Sequence, residues 1–156
     1  MRDVIRERIT RRCILLNEKI HLSYVIPGDD FTRAGEASGE VKKKLKQMGV
    51  PPEAIRKVAI SMYEGEINMV IHANGGMIDV DISTSDITIV LEDHGPGIEN
   101  VALAMQAGYS TAPDKVRALG FGAGMGLPNM KKYSDELIID TKPGYGTKVT
   151  LVVKIG

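Results

Sequence analysis

One cysteine in 156 residues leaves Cys13 without an internal partner, so no disulfide can staple this chain. Neither sign of charge is in excess: 20 basic and 20 acidic side chains give a formal net charge of zero. That balance argues against nucleic acid or an acidic membrane as the main partner. The sequence also lacks a signal-peptide pattern, an apolar run long enough to cross a bilayer, an internal repeat and a low-complexity tract. The expected setting is therefore the cytoplasm. What is present is a 43% hydrophobic content, enough for one core at this length and too little chain for a second domain. The expected organisation is a basic arm over 1–12 and one domain over 13–156. Arg2, Arg6, Arg8, Arg11 and Arg12 crowd the arm beside Asp3 and Glu7, which suits a solvated segment or a docking element.

Hydrophobic periodicity divides the rest. Ile20, Leu22, Tyr24 and Ile26 alternate within a strand region over Cys13–Ile26, which Pro27-Gly28-Asp29-Asp30 ends. A helical pattern runs over Phe31–Met48 and stops at Gly49. Pro51-Pro52-Glu53 opens a second helix, expected to reach about Ala73. Met77–Ser83 and Ile87–Glu92 read as a hairpin, Val101–Ala107 and Leu127–Tyr133 as short helices. A last hairpin joins Glu136–Thr141 to Lys148–Ile155 across Pro143-Gly144-Tyr145-Gly146. The pattern predicts an α+β fold, with helices on one face of a mostly antiparallel sheet.

Three segments carry chemistry. On the second helix, Lys57, Ser61, Glu64, Gly65, Asn68 and His72 share a narrow polar sector while the remaining face is largely apolar. Such a stripe fits a solvated face or a pocket wall. As a wall it offers a carboxylate able to take a proton and, one turn on, an amide oxygen suited to magnesium. Glu66 falls in the apolar sector, which suits a partly exposed residue or one that marks a contact surface. The second segment, Asp93-His-Gly95-Pro-Gly97, follows an alternating strand and fits a plain turn or a base site. An ionised aspartate only accepts hydrogen bonds, so it matches the amino group of adenine and opposes the carbonyl of guanine. Gly95 and Gly97 would let a flat ring approach the backbone. In the third, Gly120, Gly122, Gly124 and Gly126 alternate just before a helix, as a linker or as backbone amides gathered for phosphate.

These residues resemble the N-box (Glu64-x-x-x-Asn68), G1 box (Asp93-x-Gly95-x-Gly97) and G2 box (Gly122 to Gly126) of the GHKL ATPases, the group of gyrase, heat-shock chaperone, histidine kinase and MutL. The resemblance covers roughly residues 13 to 155 and implies their two-layer Bergerat fold. Short length, Ala59 to His72, Glu92 to Ile98 and Gly144-Tyr145-Gly146-Thr147 are most similar to the bacterial anti-sigma-factor and switch serine/threonine kinases. Carried over by position, the resemblance implies Glu64 as general base, Asn68 as magnesium ligand and Asp93 as adenine reader. It also implies that Gly95, Gly97, Gly122, Gly124, Met125, Gly126 and Leu127 line the nucleotide, with Thr147 near the base. The implied cofactors are ATP and Mg2+. The implied partner is an anti-sigma-factor antagonist domain, a sigma factor or a signalling scaffold, with homodimerisation open and no direct nucleic-acid contact.

A lid is expected over Tyr109 to Gly124, ordering on nucleotide binding. Its extra segment Ala112–Leu119, with Lys115 and Arg117, departs from the family pattern. Two function classes follow, a protein serine/threonine kinase and a binding module that uses ATP only to set its conformation. Glu64 favours the first. A sensor histidine kinase is disfavoured because neither upstream helix offers a phosphoacceptor histidine, and a gyrase or chaperone because a transducer domain is lacking.

Overall fold

A computed structural model describes residues 19–110, 112, 114 and 125–156. The basic arm, Cys13, Lys115, Arg117 and Gly120 to Gly124 lie outside the described residues, and with them most of the expected lid. Five strands, β1 (Ile20–Pro27), β2 (Gly75–Ile82), β3 (Asp86–Asp93), β4 (Glu136–Lys142) and β5 (Gly146–Lys154), form one sheet in the order β1-β2-β3-β5-β4. Every neighbouring pair is antiparallel. Among the described residues it is accompanied by helices α1 (Glu36–Met48), α2 (Pro52–His72), α3 (Val101–Ala104) and α4 (Gly126–Lys132). The α+β architecture with helices on one sheet face is the expected one.

Alternation along the strands sets the two faces. Ile78, Val80, Ile82, Ile87, Ile89, Leu91, Leu151 and Val153 point to one side and are buried. Each such side chain, fully removed from water, contributes roughly 1.5–3 kcal/mol. The opposite face carries Val25, Met77 and Ile138 in exposed positions. On the buried face lies α2, which contacts β1, β2, β3 and β5 below it and α1 and α4 at its sides. A helix covered on three sides needs the broad apolar sector that this sequence gives it. Among the described residues, no helix is long and apolar enough to cross a membrane.

Helix ends follow local chemistry. Gly49 takes a left-handed φ of 78° and its N–H meets the carbonyls of Leu45 and Lys46, which closes α1. The start of α1 departs from expectation: it begins at Glu36, not Phe31. Gly35 has φ 91°, and Asp30 Oδ1 accepts from the Thr32 hydroxyl at 2.6 Å, so 31–35 are held as turns instead of a first helical turn. The third helix is also shorter than expected and stops at Ala104, capped at its start by Asn100 Oδ1 on Leu103 N–H at 3.0 Å.

Candidate nucleotide site

Where β3 leaves the sheet, Asp93 stands opposite Thr147 in the β3–β5 register. Its Oδ1 accepts from Gly95 N–H at 2.9 Å and from Thr147 N–H at 3.2 Å. Two backbone donors on one oxygen fix the carboxylate plane and leave Oδ2 without a hydrogen bond among the described residues. The Thr147 hydroxyl in turn pairs with that of Thr141 at 2.9 Å, and Thr141 Oγ1 accepts from Ile98 N–H at 2.9 Å. The β4–β5 turn is tied to the same loop by Gly144 N–H on the Pro96 carbonyl at 2.8 Å.

Packing against protein gives Gly95 and Gly97 a reason beyond ring access. A Cβ on Gly95 would lie 2.7 Å from Ala73 Cα at the end of α2. One on Gly97, whose φ is +75°, would lie 2.5 Å from the Lys142 carbonyl oxygen. These glycines therefore lock the loop onto α2 and β4. His72, in the last turn of α2, has its imidazole pushed below the ordinary 6.5 by burial, with the Asp93 charge pulling the other way. The residue still keeps an exposed outer surface.

Two turns back along α2, about 12 Å by helical rise, the chemistry changes. Glu64 and Asn68 are both half-buried on the side facing α4. A Cβ on Gly126 would lie 3.0 Å from Asn68 Nδ2 and 3.1 Å from its Oδ1, so the start of α4 presses directly on that amide. Three residues further on, Asn129 Nδ2 donates to Glu64 Oε1 at 3.1 Å. Asn129 did not stand out in the sequence. Its signal was there, since Gly126 and Asn129 fall on one side of a helix just as Asn68 and Glu64 do. The donor set near Asn68 suits magnesium, which takes a few oxygen ligands from protein and the remainder from phosphates and water. Among the described residues, no cluster of three or more His, Cys, Asp or Glu offers a competing cage.

The polar stripe of α2 is not a continuous pocket wall. Ser61 is fully buried with its hydroxyl on the Lys57 carbonyl at 2.7 Å. Gly65 is buried against the Leu91 side chain, which a Cβ there would meet at 2.4 Å. Lys57 reaches Asp135 at 3.3 Å. Leu127 places its side chain in the core, whereas Met125 is 43% exposed before α4. Glu66 is 1% exposed and is neither a surface residue nor a contact patch. Its Oε2 accepts from Gly35 N–H at 2.7 Å and Ala37 N–H at 3.4 Å, and its Oε1 from Ser38 N–H at 2.9 Å. A carboxylate from α2 thus caps α1, whose own N-cap residue, Gly35, has no side chain to do so. Beside it, Tyr63 rests its ring on Gly35. Its phenol is raised above the ordinary 10.0 chiefly by burial, with the Glu64 and Glu66 charges adding to the shift.

Residues 29–153 match the family model of the histidine kinase-like ATPase domain. The chain belongs to this family. Within it, similar proteins include the anti-sigma F factor of Clostridium novyi (strain NT), 32% identical over 71% of this chain and 78% of that protein. The anti-sigma F factor of Clostridium acetobutylicum is also 32% identical, over 90% of this chain and 96% of its own. Two solved structures share the fold of this histidine kinase-like domain at TM-score 0.58. One is a chain of the SiaB-SiaC complex from Pseudomonas aeruginosa, at 12% identity over 97% of this chain and 99% of that one. The other contains the RsbU and RsbW domains of Rv1364c from Mycobacterium tuberculosis, at 14% identity, where this chain spans about a third of the longer protein.

Proposed function

We propose that this histidine kinase-like ATPase domain is an anti-sigma-factor-like or switch kinase of the cytoplasm. It binds MgATP and transfers the γ-phosphoryl group to a serine or threonine of a regulatory protein. The observation that carries the reading is the pairing of Glu64 and Asn68 on one turn of α2, each held against α4, with the pinned Asp93 at the far end of the same helix. Similarity to anti-sigma F factors supports a protein partner, whether an antagonist domain, a sigma factor or a scaffold.

In this reading Asp93 Oδ2 receives the adenine amino group, and Thr147 flanks the base. Asn68, against which Gly126 is packed, faces the phosphates. Asn68 would hold magnesium, which would neutralise phosphate charge there. Glu64 takes the proton of the acceptor hydroxyl as that oxygen attacks phosphorus. A module that binds ATP without chemistry would have no use for a half-buried carboxylate at this place.

The test is transfer of labelled phosphate from ATP to antagonist domains and to partners pulled down with and without ATP. Glu64→Gln should cut transfer by about a hundredfold or more and leave nucleotide affinity nearly intact. Asn68→Ala should weaken magnesium-dependent binding and transfer together. Wild-type protein that holds ATP and its partner yet transfers nothing decides for the binding module.

A further inference from the structure

Resting on the kinase reading, we propose that Asn129 is a positioning residue for phosphoryl transfer: it holds Glu64 Oε1 so that Oε2 alone receives the acceptor's proton. The side-chain amide must present its NH2 to the carboxylate, because its carbonyl oxygen would meet Glu64 as a second acceptor. The observed contact, Nδ2 to Oε1 at 3.1 Å, is therefore a charge-assisted donation with one sense only. Oε2 accepts no hydrogen bond among the described residues.

Asn129 is well placed for this task because its own position is fixed. Its N–H donates to the Met125 carbonyl and its carbonyl accepts from Tyr133 N–H, both at 2.9 Å. Leu127 and Met130 on either side are buried in the core, which sets the rotation of α4. Gly126 then abuts Asn68 while Asn129 grips Glu64, so α4 touches both working residues of α2. The base is thereby oriented by the helix that begins at the end of the glycine run. In the step itself the acceptor hydroxyl proton passes to Glu64 Oε2 and the hydroxyl oxygen bonds to γ-phosphorus. The bond from γ-phosphorus to the β–γ bridging oxygen breaks, its electron pair leaving with ADP.

Two measurements on the full chain test the proposal. In the first, the side-chain amide resonance of Asn129, assigned by its loss in Asn129→Leu, is followed by NMR. It should shift on Glu64→Ala and hold its place on the distant Asp135→Asn. In the second, Asn129→Leu should slow phosphoryl transfer about tenfold with ATP affinity within about twofold, and should slow it no further in a Glu64→Gln background. A merely structural role would cost the same in both backgrounds. The proposal is overturned if the amide ignores Glu64→Ala, if Asn129→Leu transfers at the wild-type rate, or if the losses simply multiply. Wild-type protein without any transfer overturns the kinase reading and the positioning role of Asn129 together, whereas an active wild type with an indifferent Asn129→Leu overturns the Asn129 role alone.

Discussion

Glu66 on α2 reaches across to Ser38 at the start of α1, where its Oε1 accepts the backbone N–H at 2.9 Å while Oε2 takes the amide of Gly35. The carboxylate lies two residues from Glu64 and two from Asn68 along the same helix. With both oxygens engaged by backbone amides, Glu66 has no free oxygen with which to act as an alternative base.

Removing that carboxylate leaves three backbone donors short of a partner. Glu66→Ala should therefore destabilise the fold by about 3 kcal/mol. Glu66→Gln, which keeps one acceptor, should lose roughly half as much. Urea denaturation monitored by circular dichroism measures both, and equal stability of wild type and Glu66→Ala would remove the capping account.

Asp93→Asn keeps Oδ1 for Gly95 and Thr147 and replaces the other oxygen by a donor, so the loop should hold its shape. Adenine nucleotide affinity should fall by about tenfold or more, that being the worth of one hydrogen bond to a charged group, and preference over guanine nucleotides should shrink. Titration calorimetry with MgATP and MgGTP reads both. An unchanged ratio of affinities would disconnect Asp93 from base recognition.

The glycines of the site separate by what their missing side chain would strike. Gly95→Ala drives a Cβ to 2.7 Å from the Ala73 backbone, which should cost about 1–3 kcal/mol of stability. Gly126→Ala meets the Asn68 amide first, at 3.0 Å, and that side chain can turn away. Stability should change by less than about 1 kcal/mol, while MgATP binding weakens several-fold through the displaced amide. Thermal unfolding paired with nucleotide titration compares the two, and the reverse pattern would contradict this division.

Two histidines should titrate on opposite sides of 6.5. His21 Nδ1 lies 2.7 Å from Asp81 Oδ1 and its Nε2 lies 3.4 Å from Asp79 Oδ1. The Asp81 hydrogen bond is the main cause of its raised value, and desolvation opposes it. The stability His21 adds is complete below pH 6.5 and fades as pH rises through the raised value. His72 works the other way. Its lowered value means that the unfolded chain binds the proton more readily, so stability is lost as pH falls from 6.5 through that value. Imidazole proton shifts assigned by single substitutions would report both, with Asp81→Asn returning His21 towards 6.5. A His72 that titrates above His21 would contradict the geometry.

Interactions between near neighbours were legible in the residues themselves. Alternation fixed which strand positions face the core, Gly49 and Pro52 marked helix ends, and four-residue spacing placed Glu64 beside Asn68. Such features depend on backbone geometry over one or two turns, and the one-dimensional pattern contains it. Pairings over long sequence separations were decided by packing. The insertion of β5 between β3 and β4, the seating of Gly126 on Asn68 and the hydrogen bond from Asn129 to Glu64 depend on how α4 lies against α2. At the start of α1 both kinds of cause meet: local turns at Asp30 and Gly35 hold 31–35 out of the helix, while the acceptor for its first amides is Glu66, some thirty residues away, a carboxylate that periodicity could place only on an apolar face. Tertiary packing supplied the amides that make its burial stable, because a charge removed from water persists only where donors are already arranged around it.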